Sequence, residues 1–369
     1  MKNKNITAIE NIYKINFGLR ETEKVLVFSD GYNRNIKKIA KLIAETGEKF
    51  SKHIIFHEYK PTGCHGVEPP EDLWAAAFGK PAYETLKQKN IFPTLLLKKA
   101  TKKQLNEIEK AIKQHKDETV DIVIAMSYYS TSHTKFRDLL NRICGVRYAS
   151  MPLFDEAMLS GPMTVDYKKM AGITRKIAEI VNQYERIKIE AKNGTSIHMS
   201  TRGREAKIDT GIITERGQFS NLPAGEVYLA PLEGSAVGTL IIEWAPTRRL
   251  KSPVILHIDK GEVKRTEGNE QYIAYLEEKF SEKKENRNIA ELGIGTNDKA
   301  SRPDNILESE KILGTIHIAL GDNSSFGGNV QTSFHQDFVV FHPTITLIDS
   351  QGGNKKIMDN GKLLVEYYM

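Results

Sequence analysis

Over residues 23–152, short apolar runs alternate with longer stretches in which apolar residues recur every three or four positions. KVLVFSD (24–30), KHIIFHEY (52–59) and VDIVIAMS (120–127) read as buried strands, and VRYASMP as a fourth ending at a proline. Between them, Ile36, Ile39, Ala40 and Ile43 mark one face of a helix over 33–45. TKKQLNEIEKAIKQ (101–114) reads as a helix with Thr101 as N-cap, and a further helix spans 132–143. Strands separated by helices predict parallel βαβ units, whose ligands sit beyond the carboxyl ends of the strands.

A helix over 166–184 reads as a connector, and beyond it the texture changes. RIKIEAKNGTSIHMSTRGR is strand, Asn-Gly turn, strand, a hairpin signal. EVYLAPLEGSAVGTLIIEWA, PVILHIDKGEVKRTEG and VVFHPTITLIDSQGG continue as short strands punctuated by glycine, with one charged helix over 269–284. The chain thus reads as an α+β protein of two domains. A Rossmann-like α/β domain with its connector helix takes residues 1–185, and a β-rich metal-binding domain takes 186–369; a length of 369 residues has room for both.

Composition narrows the function classes. The net charge of +6, from 53 basic and 47 acidic residues, is spread along the chain instead of clustering as a nucleic-acid binder's would. Cys64 and Cys144 are far apart and have no CxxC partner, which argues for a reducing compartment. The N-terminus lacks a signal peptide's apolar core, and no run approaches the roughly 18–20 apolar residues of a membrane span. The expectation is a cytoplasmic protein without nucleic-acid or membrane partners. SDGYNRN after the first strand lacks G-x-G-x-x-G and a P-loop lysine, so it reads as a plain strand-to-helix turn.

Candidate chemistry concentrates in the second half. Glu226 follows Pro223 and Gly225 at the start of a strand, and Glu291 lies among glycines in AELGIGTN. His317 sits mid-strand in LGTIHIALGDN, while His335 and Asp337 share one strand face at i and i+2. Taken singly, His317 also reads as a hydrogen-bonded core residue, His335 and Asp337 as a chance spacing, and Glu226 as a solvated strand end. Five ligand-type residues in one domain point to a metal, and a mixed imidazole and carboxylate set suits Zn, Co or Mn. In the first half, Ser132 and His133 stand where a strand becomes a helix. Backbone N–H groups there would receive a substrate anion, or Ser132 would simply cap the helix. Arg202 and Arg204 read as turn residues.

LPAGEVYLAPLEGSAVGTLIIE, AELGIGTN, LGTIHIALGD and HQDFVVFHPTI resemble, in order, the motifs of the aminopeptidase T/aminopeptidase S family of metallo-aminopeptidases. DIVIAMSYYSTSHTKFRDLLNRICGVRYASMP resembles the first-domain signature of that family's short members. The resemblance implies a homodimeric aminopeptidase hydrolysing N-terminal residues of peptides at a two-metal site. Glu226, Glu291, His317, His335 and Asp337 would be the ligands, and Glu291 also the general base. A tyrosine that the family carries after the histidine of H-x-A-L-G is replaced by the segment GDNSSFGGN, with Ser324, Ser325 and Phe326.

The 2,5-dihydroxypyridine 5,6-dioxygenases are similar to that family but hold one Fe(II) with two histidines and one carboxylate. They share the H-x-D pair and carry histidine where this chain has Glu291, so the glutamate favours the hydrolase. His317, His335 and Asp337 would compose the Fe(II) triad in that alternative. A non-catalytic metal- or peptide-binding protein is the third class.

Overall fold

The computed structural model describes residues 3–365, which form an α+β chain. Among the described residues there are three sheets. The chain divides into two compact units, the first reaching to Thr164 and adding Gly211–Pro223, the second comprising Val165–Thr210 and the chain from Ala224 onward.

In the first unit, β1 (Val25–Ser29), β2 (Ile54–Glu58), β3 (Ile122–Ala125) and β4 (Arg147–Ser150) form a parallel sheet in the order β2-β1-β3-β4. Every residue of β1, β3 and β4 is buried, the pattern of a parallel sheet covered on both faces. Helix Arg34–Gly47 starts at Asn33, whose side chain accepts the N–H groups of Asn35 and Ile36, and it buries Ile36, Ile39, Ala40 and Ile43. Thr101 and Gln104 close a capping box at the start of Lys102–Gln114.

Two features of this unit depart from expectation. Helices Glu71–Phe78, Lys80–Gln88 and Phe92–Leu96 fill the stretch between β2 and Thr101, and Trp74, Phe78, Phe92 and Phe136 meet in one aromatic cluster. The strand Phe219–Asn221 also arrives from beyond the hairpin and pairs in parallel with β4, with the Phe219 ring stacked on Tyr148 at 6.0 Å.

The second unit begins with helix Tyr167–Val181, capped by Asp166. Ile177, Ala178, Ile180 and Val181 join the same core as the strands that follow, so this helix is part of the second unit. An eight-stranded antiparallel sheet includes the expected hairpin, Arg186–Glu190 with Ser196–Ser200. The other sheet has five antiparallel strands: β5 (Lys207–Asp209), β6 (Glu226–Leu229), β7 (Ile289–Gly295), β8 (Thr315–Gly321) and β9 (His335–Phe341), in the order β9-β8-β7-β6-β5.

Alternation along this five-stranded sheet sorts its residues into two faces. Val227, Leu229, Leu292, Ile294, Ile316, Ile318, Phe338 and Val340 point into a core shared with Ile187, Ile189 and Leu240 of the eight-stranded sheet. The intervening positions, Glu226, Tyr228, Glu291, Gly293, His317, Ala319, His335 and Asp337, face the other way. A one-residue slip in any strand would exchange the two sets, so the apolar core fixes the register that gathers the polar ones. Among the described residues, no helix is long and apolar enough to cross a membrane.

Candidate metal centre

Register places the candidate ligands side by side. Glu291 on β7 pairs with Ala319 on β8, and Ala319 pairs with Asp337 on β9. His317 pairs with Gly293, and Gly321 with His335. The small residues between the ligands make the space. A Cβ at Gly293 would fall 1.9 Å from Cε1 of His317, and a Cβ at Gly295 would fall 2.1 Å from the carbonyl oxygen of Ile312. The glycines of AELGIGTN therefore clear room for an imidazole and for the chain entering β8. Gly225, at φ 121, is similarly tight against Met170 and Asn297, and sets up Glu226 at the start of β6.

Ligand atoms of Glu291, His335 and Asp337 all lie within 4.8 Å of one another. His335 Nε2 stands 3.4 Å from Glu291 Oε2 and 3.4 Å from Asp337 Oδ1. Its other nitrogen, Nδ1, donates to the carbonyl of Asp322 at 2.8 Å, which fixes the ring and points Nε2 at the carboxylates. Glu291 is 7% exposed, whereas the His335 side chain is 24% exposed, so the group is open on the His335 side.

His317 and Glu226 lie beside this group. His317 Nε2 is 3.4 Å from Glu291 Oε1 and 3.6 Å from Glu226 Oε2, while Lys311 Nζ donates to Glu226 Oε1 at 2.7 Å. Among the described residues, then, one group of three converges and not the expected five-ligand, two-ion arrangement. Buried polar atoms remain without a hydrogen-bond partner here, namely Glu226 Oε2 and His317 Nδ1.

The electrostatics are those of buried carboxylates paired with imidazoles. Burial alone would raise the carboxyl of Glu291, but His317 and His335 bring it below its ordinary value. Burial likewise works against Asp337, yet His335 holds it far down. Both imidazoles would be lowered by burial; instead the surrounding carboxylates raise His335 well up and hold His317 at about 9. Glu310 is pushed up to about 8 by burial, which the nearby Lys311 only partly opposes. Carboxylate oxygens and an imidazole nitrogen at this spacing fit a divalent metal.

Four residues at the site carried no mark in the sequence reading. Lys311 is fully buried and bridges Glu226 and Glu310, whose Oε2 is 3.0 Å away. Tyr228 shares the face of Glu226 two residues on, and Asp209 pairs with Glu226 across β5 and β6. The i, i+2 rule would have found Tyr228; nothing local marks Glu310 and Lys311, which precede β8 in a turn. The loop GDNSSFGGN supplies no hydroxyl to the centre. Ser324 turns its Oγ back to Asp322 at 3.0 Å, and the Phe326 ring instead packs edge-on against His335 and Tyr228, each at 5.9 Å.

At the first-unit site, the backbone N–H groups that a substrate anion would occupy are filled by the chain itself. Glu68 accepts from Lys135 N at 2.6 Å and Phe136 N at 3.0 Å. Thr134, not Ser132, caps that helix, while Ser132 Oγ pairs with Ser150 at 2.7 Å and Ser130 at 3.0 Å. The carbonyl of His133 accepts from Lys98. Arg202 and Arg204 are engaged with Glu185 and Glu233.

The α+β chain gathers one imidazole and two carboxylates on one sheet face, a group that could hold a single metal ion. The sequence profile of the 2,5-dihydroxypyridine 5,6-dioxygenase (NicX) family matches residues 85–365, more than half of the chain, and the protein belongs to that family. The structure is similar to 2,5-dihydroxypyridine dioxygenase from Pseudomonas putida KT2440, with a TM-score of 0.71 and 18% identity, covering 98% of this chain and 97% of that one. It is also similar in fold to AmpT from Thermus thermophilus, with a TM-score of 0.59 and 11% identity, covering 98% and 99%. No curated protein matches by sequence.

These findings overturn assignment to the aminopeptidase T/aminopeptidase S family, and with it the hydrolase and peptidase expectation. The fold is similar to both solved structures, so likeness of fold does not separate the two chemistries. The enzyme class indicated is the dioxygenase. Two ions per chain find no support, because among the described residues only one ligand group converges.

Proposed function

We propose that this protein is an Fe(II)-dependent dioxygenase that opens a dihydroxylated nitrogen-containing aromatic ring. The observation that carries the reading is the convergence of Glu291, His335 and Asp337 in a chain of the dioxygenase family. In this reading those three residues hold the ion, in place of the triad His317, His335 and Asp337. Iron(II), when bound, supplies a redox centre that lets dioxygen react with an electron-rich ring. Two carboxylates and one imidazole make a harder, oxygen-rich set than two imidazoles and one carboxylate, still within the range of Fe(II) and Mn(II).

The chain's own residues orient and exclude. Glu291 has both oxygens engaged by histidines and a depressed carboxyl, so it acts as a ligand and not as a general base. The Asp322 carbonyl fixes the tautomer of His335. Phe326 and Tyr228 give the side next to His335 an aromatic wall suited to a planar substrate. The first unit, read as a Rossmann-like domain, and assembly as a homodimer belong to the same proposal.

The test is oxygen uptake by anaerobically purified protein reconstituted with Fe(II), using 2,5-dihydroxypyridine and other dihydroxylated pyridines. We expect uptake coupled to loss of the ring's ultraviolet absorbance, and none with the iron chelated. A protein that holds iron yet consumes no oxygen with any of these rings would sink the proposal.

A further inference from the structure

Five carboxylates act on this corner of the sheet: Asp209, Glu226, Glu291, Glu310 and Asp337. Glu226 Oε2, His317 Nε2 and Glu291 Oε1 have the donor chemistry of a second ion site, with His317 3.6 Å from the first and 3.4 Å from the last. They nevertheless do not close into a group, since among the described residues only Glu291, His335 and Asp337 do. Lys311 stands beside Glu226. Its side chain has no exposed surface, and its Nζ reaches Glu226 Oε1 at 2.7 Å and Glu310 Oε2 at 3.0 Å.

The position of Lys311 is built into the fold. Its N–H donates to the carbonyl of Glu308 at 3.0 Å and its carbonyl accepts from Asn297 N at 2.8 Å. Gly295 lets this segment lie against β7, because a Cβ there would meet Ile312 O at 2.1 Å and the Lys311 carbonyl carbon at 2.9 Å. Glu226, its partner, keeps one buried oxygen with no hydrogen-bond partner. An ammonium is a compact point charge with three donors, able to stand among carboxylates where a metal would otherwise stand.

We infer that Lys311 is the resident cation of the second position: it holds Glu226 out of the ligand group, supplies the positive charge a second ion would bring, and keeps the centre mononuclear. Lys311 is thus a positioning residue that sets metal stoichiometry. The inference rests on the reading that Glu291, His335 and Asp337 hold an ion, and is independent of which ring is cleaved. A single ion with open positions suits oxygen chemistry, whereas a paired site suits hydrolysis.

The experiment is titration of the metal-free full-length protein with Mn(II), followed by calorimetry and electron paramagnetic resonance. The native protein should take up a single tight equivalent with the spectrum of an isolated ion. Lys311→Met should take up a second, with the altered spectrum of two coupled ions, while Lys311→Arg stays at one. Adding Glu226→Gln to Lys311→Met should abolish the second equivalent. Two coupled ions in the native protein overturn the inference, as does a folded Lys311→Met that still binds one. If Lys311→Met does not fold, Lys311→Gln and the native titration decide in the same way. Native protein that binds a single ion but cleaves no ring defeats only the dioxygenase reading; native protein that binds none defeats both.

Discussion

The imidazole of His317 occupies the place a side chain at position 293 would need: a Cβ on Gly293 would lie 1.9 Å from Cε1 and 2.1 Å from Nε2. The two residues are direct partners across β7 and β8, and the atoms in the way belong to a buried imidazole ring. Gly293→Ala should therefore push the His317 ring off Glu291 and strain the strand pair, at a cost of about 1–3 kcal/mol, as for overpacking elsewhere. Urea unfolding of the metal-free protein measures it. A stability within error of the native value would show that the ring has somewhere else to go.

The two histidines should separate by role. His335 lies inside the converging group and is partly exposed, so His335→Ala should abolish tight metal binding while leaving the circular dichroism unchanged. His317 touches Glu291 from outside that group, so His317→Ala should weaken binding by about 10–100-fold, the usual effect of losing a group that orients a ligand. The reverse order in a metal titration would restore His317 to the ligand set and displace Glu291 from it.

Proton and metal should compete in opposite directions with pH. In the metal-free protein His317 is raised to about 9 and His335 well above its ordinary value. A group whose folded value is raised stabilises fully below its unfolded value, about 6.5 for histidine, and loses that contribution as pH climbs through the folded one. Metal-free stability should fall between pH 6.5 and 9 on this account. Metal affinity should rise over the same window, since the ion must displace protons from His335. Urea midpoints and Mn(II) titrations at pH 6 and pH 9 read both trends; flat or parallel responses would refute the pairing of imidazoles with carboxylates.

What was legible in the sequence was whatever obeys a short period. Strand and helix alternation, the Thr101 cap and the same-face pairing of His335 with Asp337 are all local. The grouping of ligands was legible only in part, because convergence depends on where Lys311, thirteen residues beyond Asp298, folds back onto Glu226. Phe219–Asn221 joining a sheet begun nearly 200 residues earlier is equally beyond a local pattern. The chemistry is ambiguous in the sequence for a related reason. Glu226, Glu291, His317, His335 and Asp337 are individually compatible with either one ion or two, and the lysine that distinguishes the cases lies in a turn before β8 that no local pattern marks.

The last prediction concerns Glu68. This residue is 3% exposed and its two oxygens accept the N–H groups of Lys135 and Phe136, at the start of the helix Lys135–Leu139. Those N–H groups have no partner within the helix, so the carboxylate satisfies a part-buried donor at Lys135 and a buried one at Phe136. Burial raises the Glu68 carboxyl, opposed by these same two backbone donors. Glu68→Ala removes both acceptors at once and should cost about 2–3 kcal/mol, whereas Glu68→Gln keeps one carbonyl oxygen and should cost about 1 kcal/mol. Both variants should bind metal as the native protein does, since Glu68 belongs to the first unit and the ligand group to the second. Chemical denaturation paired with metal analysis tests the claim. If Glu68→Ala were as stable as the native protein, water would be serving those N–H groups equally well, and the site would be open to an outside anion after all.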